Sequence, residues 1–364
     1  MKYFFLKFLF SLYFSLFFTN IYSDEYSYEI IVSDIEIPWG FVFLEDNSIL
    51  ITERKGELIR FINGKKIKLK GLPEIIAKNQ GGLLDIELHP DYKNNGWIYI
   101  SYSSSNENKS GSNTSIMRFK IENNSLVQKE IIYKALPNSK RDRHYGSRIE
   151  FDENNYLYFS IGDRGNRDVN PQNINRDGGK IYRVFDNGEI PIDNPFINDK
   201  LAKKAIYSYG HRNPQGMVIN PFTKELWIHE HGPRGGDEIN IIKKGANYGW
   251  PLASFGINYI GTKFTDKTTI PGMEDPVHYW TPSIAPSGMA FINSDIYPNS
   301  KGDLLIGSLI FQYLHKCKIK NNRVYKEDRI LEDIGRVRSI RQGPDGYMYI
   351  GVENLGIIKL VLKK

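Results

Sequence analysis

The sequence predicts an all-β protein, a six-bladed β-propeller whose functional loops converge on one face. Helical periodicity is nearly absent, alternating apolar segments recur along the chain, and turn-forming residues separate them. The repeat spacing is roughly 45 to 70 residues, near or above the length of a propeller blade. Six similar units are present, at 40–52, 85–102, 147–160, 216–229, 288–307 and 339–351.

Each unit is predicted to form two strands of one blade. Alternation gives each strand one inward face, and Asp, Asn, Gly and Pro between the strands favour tight turns. Segment 355–362 is predicted to be one more strand that completes a blade near the first unit. A ring of six blades has no long exposed edge. The main alternative, a β-sandwich, does not explain why the same pattern recurs so often.

Residues 1–23 have the layout of a secretory signal peptide. Lys2 and Lys7 precede an apolar run, Phe8–Phe18, and Ser23 is small enough for a cleavage site. An uncleaved membrane anchor is the alternative, but the run of about 11 residues is shorter than the ~20 that span a bilayer. We therefore expect a periplasmic or secreted protein with no stable membrane insertion after cleavage, and a single propeller domain over 24–364.

Charge and cysteine content exclude some classes of function. The formal net charge of +6 falls to about +4 when the signal peptide is removed, and the basic residues are scattered. Such a distribution predicts no nucleic-acid partner. Cys317 is the single cysteine, so an exported chain has no internal disulfide, and its alternating segment predicts that Cys317 is buried.

Glycine- and charge-rich loops follow several predicted strands, and in a propeller they meet at the axial channel. His144 is the candidate general base, because an imidazole with a pKa near ~6.5 is available in its neutral form. Asp163 follows a later strand and is suited to fix the imidazole tautomer. The alternative is that His144 is a surface histidine in a basic stretch.

Several arginines are suited to bind an anion. Arg212 and Asn213 together can hold a planar anionic group, although Arg212 is also suited to tie loops together. Arg336 and Arg338 alternate and so point to one side, where two like charges need an anionic partner or open solvent. A ligand with several carboxylates satisfies both, because arginine pairs bidentately with carboxylate.

The run 230–238 also offers oxygen ligands. The carboxylates of Asp237 and Glu238 and the carbonyls of Gly232 and Pro233 suit calcium, and a solvated acidic turn is the alternative.

Other metal and cofactor classes fit less well. His229 and His231 lie two apart, but zinc is the weaker interpretation because no HExxH motif completes a site. The chain has no Walker loop, no GxGxxG after a strand and no GxSxG elbow, which disfavours nucleotide and nicotinamide cofactors.

Nearly the whole chain after residue 23 resembles the soluble aldose sugar dehydrogenases of the glucose/sorbosone dehydrogenase family. The motifs that carry the resemblance are 38–40, 81–85, 144–148, 162–165, 209–216, 230–238, 247–251, 279–288 and 342–346. The resemblance implies a six-bladed propeller that binds pyrroloquinoline quinone (PQQ) and Ca²⁺. It also implies oxidation of the C1 hydroxyl of an aldose sugar to the lactone, by general-base-assisted hydride transfer to PQQ.

The matching motifs assign roles residue by residue. His144 would be the base, Asp163 would orient it, and Arg212 would stabilise charge developing on the quinone. The remaining matches are cofactor-binding residues Gln80, Arg212, Asn213, Arg336 and Arg338, and metal ligands Gly232, Pro233, Glu238 and Tyr248, the last two for a second, structural calcium. Electrons would pass to an external acceptor, because no haem-attachment motif is present. Relatives are monomers or homodimers.

One position departs from the family pattern. Ile310 stands where relatives usually carry a lysine that contacts the quinone, and Lys316 or Arg341 is a candidate replacement cation. Two other functions therefore stay open: a calcium-dependent propeller lactonase, and a non-catalytic carbohydrate-binding propeller that has lost PQQ.

Overall fold

The structure is a computed structural model that describes residues 25–106 and 110–363. The predicted signal peptide, 1–23, lies outside this part of the chain. Within it, no helix is long and apolar enough to cross a membrane. A single helical turn, α1 (Tyr92–Asn95), interrupts an otherwise all-β chain over the described residues.

Six four-stranded antiparallel sheets form the blades of a propeller, as the sequence predicts. The first strand, β1 (Tyr26–Val32), belongs to the last blade. Blades 1 and 2 contain β2 (Pro38–Phe43), β3 (Ile49–Glu53), β4 (Glu57–Ile62), β5 (Lys65–Lys68), β6 (Leu83–Leu88), β7 (Ile98–Ser104), β8 (Asn113–Glu122) and β9 (Ser125–Lys134). Blades 3 and 4 contain β10 (Ile149–Phe151), β11 (Tyr156–Ile161), β12 (Lys180–Phe185), β13 (Ile206–Tyr209), β14 (Pro214–Ile219), β15 (Leu226–Glu230), β16 (Asp237–Ile241) and β17 (His278–Trp280). Blades 5 and 6 contain β18 (Pro286–Phe291), β19 (Leu304–Ser308), β20 (Leu314–Lys320), β21 (Arg323–Ile330), β22 (Val337–Gln342), β23 (Met348–Val352) and β24 (Gly356–Leu362).

The six sequence units are the two inner strands of the six blades. The predicted C-terminal strand is β24, which pairs with β23 on one side and with β1 on the other. The β1–β24 ladder runs from Tyr26 opposite Leu362 to Val32 opposite Ile357. Both ends of the described chain therefore close the ring in one sheet, which protects the edge of the last blade.

A separate hydrophobic cluster fills the space between each pair of neighbouring blades. Between blades 1 and 2, for example, Leu50 packs in the same cluster as Ile86 and Ile100. Cys317 is fully buried between blades 4 and 5, as predicted. Because every interface is apolar, the ring depends on burial around its whole circumference.

In five blades a β-bulge recurs at the same position, near the N-terminal end of the innermost strand. The bulged residues include Trp39, Gln215 and Arg338. A bulge leaves its extra residue outside the strand ladder. The carbonyls of these three residues therefore need partners from elsewhere.

Arg148 supplies those partners. Its Nε donates to the Gln215 carbonyl at 2.6 Å and its Nη2 to the Arg338 carbonyl at 2.7 Å. Its Nη1 donates to the Trp39 carbonyl at 3.4 Å and to Asp85 Oδ1 at 3.3 Å. One side chain of blade 3 thus binds groups from blades 1, 2, 4 and 6.

The inner strands come close enough for this only because glycine lies between them. A Cβ on Gly40 would lie 2.7 Å from Asp85 Oδ1. Burial lowers the pKa of Arg148, and the Asp85 carboxylate opposes that effect. Both partners are 5% exposed, so this is a buried ion pair at the centre of the molecule.

We expect Arg148→Met to destabilise the fold by about 3–5 kcal/mol, because the buried Asp85 carboxylate loses its cationic partner and each of the three bulge carbonyls loses a donor. Urea titration followed by circular dichroism measures the change. Arg323→Met, at an exposed arginine of β21, is the control and should leave the unfolding curve unchanged. An unaltered midpoint for Arg148→Met would show that the axial contacts contribute nothing.

Candidate functional site

A cavity of about 490 Å³ lies at one end of the axial channel. All six blades contribute to its wall, through residues that include Trp39, Gln80, Tyr145, Asn213, Ile310 and Arg338. A second cavity, of about 250 Å³, lies at the other end of the inner strands, and Arg148 is part of its wall. Loops far apart in the sequence thus converge on one face, as the propeller prediction requires.

His144 and Asp163 form a hydrogen-bonded pair beside this cavity. His144 Nδ1 lies 2.7 Å from Asp163 Oδ1, and the side chains are 12% and 1% exposed. Burial and the nearby Arg212 charge lower the pKa of His144 to about 4, although Asp163 opposes the shift. The imidazole is therefore neutral at ordinary pH, with its Nδ1–H donating to Asp163 Oδ1 and its Nε2 able to accept a proton.

The second oxygen of Asp163 is also held. Trp250 Nε1 donates to Asp163 Oδ2 at 3.0 Å, and the Gly165 amide donates to Oδ1 at 2.6 Å. Burial would raise the pKa of Asp163, but its hydrogen bond to His144 and the charges nearby lower it overall. Asp163 therefore stays an oriented carboxylate.

Arg212 completes this network from the other side. Its guanidinium lies 5.4 Å from the Trp250 ring centroid, donates to the His231 carbonyl at 2.9 Å and reaches the Tyr259 hydroxyl at 3.5 Å. The side chain is 5% exposed. His144 and Arg212, which are 68 residues apart in the sequence, are thus close enough for the charge of one to shift the pKa of the other.

Gln80 and Asn213 hold the loop that carries His144. Gln80 Oε1 accepts the His144 amide at 2.7 Å, and Asn213 Oδ1 accepts the Gly146 amide at 3.2 Å. His144 has a φ of 56°, an uncommon conformation for a residue with a side chain. Gln80 and Asn213 also line the cavity, so they are placed both to position His144 and to contact a ligand.

Arg336 and Arg338 share one acidic partner. Arg336 Nε lies 2.9 Å from Glu353 Oε2, and Arg338 Nε bonds Glu353 Oε1. The two arginines therefore point to one side, as predicted. All three residues line the cavity, where one carboxylate faces two guanidiniums.

Three of the candidate calcium ligands line a narrow space next to Arg212, and the fourth, Pro233, is not among its lining residues. Glu230 and Glu238 are directly opposed on β15 and β16, and Glu238, Tyr248 and Gly232 line the same space. Burial, and next the Glu230 charge, raise the pKa of Glu238 well above its usual range. A cation between the two carboxylates would relieve this unfavourable state.

The other proposed oxygen ligands differ in availability. The Pro233 carbonyl accepts the Ile257 amide at 3.1 Å, which leaves it one lone pair. The Tyr248 hydroxyl donates to the Ile241 carbonyl at 2.6 Å and accepts the Lys243 amide at 2.8 Å, so the backbone carbonyl is the more available oxygen of Tyr248.

Asp237, considered above as a ligand, is fully engaged in structural bonds. Its Oδ1 accepts the Gly232 amide at 2.7 Å, and its Oδ2 accepts Ser283 Oγ at 2.5 Å and the amides of Ile284 and Ala285 at 2.8 Å. It fixes the 232–236 turn.

The histidines considered for zinc bond to backbone. His231 Nε2 lies 2.7 Å from the Pro286 carbonyl, and His229 Nε2 lies 3.4 Å from the Gly288 carbonyl. No cluster of three or more His, Cys, Asp or Glu side chains suited to a metal occurs in 25–106 or 110–363.

The sequence analysis missed three residues of the site. Trp250 and Glu230 lie inside motifs already noted. No local pattern shows that Trp250 contacts Asp163 or that Glu230 faces Glu238. Arg54, which lines the cavity, follows an ordinary strand and carries no motif.

The proposed replacement cations were wrong. Lys316 donates to the Tyr26 hydroxyl between blades 5 and 6, and Arg341 pairs with Glu87 and lines the second cavity. Neither lines the cavity that contains Ile310, because strand direction and blade order carry them away from it.

Comparisons with known proteins agree with this architecture. A family model described as Glucose / Sorbosone dehydrogenase matches residues 35–359. The chain is 42% identical over 331 residues to Aldose sugar dehydrogenase YliI of Escherichia coli (strain K12), and the match covers 89% of each chain.

Solved structures give the same result. The soluble aldose sugar dehydrogenase of Escherichia coli, in its apo-form, has a TM-score of 0.89 and 40% identity, over 93% of this chain and 100% of that one. The PQQ-bound aldose sugar dehydrogenase of Streptomyces coelicolor has a TM-score of 0.76 and 26% identity, over 93% of this chain and 99% of that one.

The burial of His144 and the nearby charge of Arg212 predict an unusually low pKa for its imidazole. We expect its pKa near 4, against a usual value of 6.5, because burial and Arg212 disfavour the imidazolium. As pH falls below 6.5 the unfolded chain takes up this proton first, so the free energy of unfolding decreases toward pH 4. NMR titration of ring-labelled histidines measures the pKa.

The His144 resonance is assigned by its loss in His144→Gln. In Asp163→Asn the pKa should fall further, because the carboxylate that favours the charged ring is gone. Titration of His144 near 6.5 would contradict the buried, charge-coupled site.

Proposed function

The chain belongs to the glucose/sorbosone dehydrogenase family, and we propose that it is an exported quinoprotein that oxidises aldose sugars at C1 to lactones with PQQ and calcium. The observation that carries this proposal is the His144–Asp163–Trp250–Arg212 network beside the 490 Å³ cavity. It combines a neutral base, which can take the hydroxyl proton of an alcohol, with a fixed positive charge, which can stabilise negative charge on a bound hydride acceptor.

The residues of the cavity fit PQQ. Arg54, Arg336 and Arg338 line it together, and Glu353 is the acidic side chain on the same wall. The excess of positive charge matches a ligand with three carboxylates. The volume is within the usual range for small-molecule sites, roughly 300–1,000 Å³.

Calcium fits beside it. The opposed carboxylates of Glu230 and Glu238 suit a hard cation, and the backbone carbonyl of Tyr248 adds a third oxygen for a structural ion. The carbonyls of Gly232 and Pro233, on the turn next to Arg212, are the proposed ligands of an ion at the cofactor.

His144 is the proposed base. Its Nε2 would accept the proton of the sugar C1 hydroxyl while the Nδ1–H continues to donate to Asp163 Oδ1. Asp163 would stabilise the imidazolium that results, and Trp250 prevents the carboxylate from turning away. When bound, PQQ supplies the two-electron acceptor. Arg212 would hold positive charge next to the reacting groups, where it costs no reorganisation.

Export and electron transfer extend the proposal. Residues 1–23 would direct the chain to the periplasm or the medium, and an external carrier would take the electrons. A monomer and a homodimer both suit this role, and the sugar itself is not specified by the residues named.

A non-catalytic carbohydrate-binding propeller is the second candidate, and Ile310 favours it. This residue lines the cavity and is 52% exposed. Isoleucine donates no hydrogen bond, so a cofactor atom that a lysine would contact loses a charge-assisted bond worth about 1.5–3 kcal/mol.

The activity test uses the mature protein, purified without cofactor and then supplied with PQQ and calcium. We expect a panel of aldoses to support dye reduction, and chelation to abolish it. His144→Gln should lower kcat by about 10²–10⁴-fold, the usual contribution of a general base. His278→Gln, at a histidine between the outer strands of blades 4 and 5, should retain activity.

Other outcomes identify the other functions. Lactone hydrolysis without quinone would support the lactonase, and sugar binding without PQQ binding would support the non-catalytic propeller.

We expect Ile310→Lys to tighten PQQ binding about tenfold or more, because one charge-assisted contact is regained. Tryptophan fluorescence quenching by PQQ measures the dissociation constant. Ile310→Met is the control for side-chain length without charge and should leave it unchanged. An unchanged dissociation constant for Ile310→Lys would mean that position 310 does not face the cofactor.

A further inference from the structure

Arg54 occupies a rigid position at the rim of blade 1. Its amide donates to the Ile37 carbonyl at 3.2 Å, and its carbonyl accepts the Leu83 amide at 3.1 Å. Gly82 lies so close that a Cβ there would be 1.9 Å from the Arg54 carbonyl oxygen. Blades 1 and 2 thus clamp the backbone of Arg54, while its side chain lines the cavity.

Arg54 is half-buried, and its guanidinium has no hydrogen-bond partner among the described residues. Its Nε is buried without a hydrogen bond, and no ion pair of Arg54 is formed within residues 25–106 and 110–363. The adjacent Lys55, by contrast, pairs with Glu36 on the outer surface. An unpaired buried donor on a charged group is costly, so it indicates a partner that is not part of the protein.

The acidic residue on that wall is already used. Glu353 gives one oxygen to Arg336 and the other to Arg338. The positive charges of Arg336 and Arg54 both contribute to lowering the pKa of Arg338, to about 10, although burial is the larger cause. Glu353 opposes this effect on Arg338, but it is a single carboxylate among the three guanidiniums that line the cavity.

We propose that Arg54 binds a carboxylate of PQQ and replaces the cation that is absent at Ile310. This inference rests on the proposed function and adds a cofactor-binding residue that no motif of the chain indicates. Arg54 and Ile310 line one cavity from blades 1 and 5. Arg54 thus supplies a positive charge from a different wall of the same cavity.

The test is the affinity of the cofactor-free protein for PQQ, with calcium present and ionic strength fixed, measured by tryptophan fluorescence quenching. Arg54→Met should raise the dissociation constant about 10- to 100-fold, the effect of one charge-assisted contact. Lys55→Met is the matched control: it removes a neighbouring charge outside the cavity and should have no effect. Equal weakening in both variants would mean only general electrostatic attraction, and would overturn the assignment.

The trimethyl ester of PQQ is the second probe. It keeps the tricyclic ring but has no free carboxylate, so Arg54→Met and the unmodified protein should bind it equally. If the unmodified protein and Arg54→Met bind PQQ equally well, the proposed role of Arg54 is overturned while the proposed function is not. Unmodified protein that does not bind PQQ would overturn the proposed function, and the role of Arg54 with it.

Thermal melting curves check that each variant is folded. If Arg54→Met does not fold, Arg54→Lys gives the same information, because it keeps the charge and loses the planar fork. We expect a dissociation constant for PQQ between those of the unmodified protein and a charge-free variant, Arg54→Gln. Identical affinity in Arg54→Lys and Arg54→Gln, both equal to the unmodified protein, would overturn the proposal.

Discussion

The guanidinium of Arg148 is the interaction on which the rest of the molecule depends. Bulges in the inner strands leave carbonyls facing the axis, and an unpaired buried carbonyl is costly. Arginine has five donors in a planar fork, enough to bind several strands at once. By joining blade 3 to four other blades, Arg148 sets how closely the strands approach the axis, and so the size of the cavity beside it.

Arg148 also couples the fold to the chemistry. It follows His144 by four residues in the same loop, and the Gly146 amide between them is held by Asn213. The loop is thus fixed at both ends, by the axis and by the blade 4 motif. The proposed base, His144, is thus kept neutral and oriented by the protein itself, an arrangement that would preorganise a catalytic site.

Charge is distributed around the cavity in a way that favours a ligand over an empty site. Arg54, Arg336 and Arg338 outnumber the one carboxylate that lines the cavity with them, and the buried Glu238 lies opposite the hydrogen-bonded carboxylate of Glu230. Each arrangement is unfavourable alone, and the proposed ligands of opposite charge would relieve it. Such a protein gains stability from its ligands by mass action.

The sequence by itself determined the strands, the turns and their sixfold recurrence, because alternation and turn chemistry act between neighbours in the chain. It also predicted that Arg336 and Arg338 share a side and that the loops with His144 and Asp163 belong to one site. Only the tertiary structure decided that Trp250 holds Asp163, that Arg54 enters the cavity, and that Lys316 and Arg341 do not. The physical reason is that these contacts form between blades. Ring closure and the bulges at the axis set the position that each side chain reaches, and neither is encoded within a single strand.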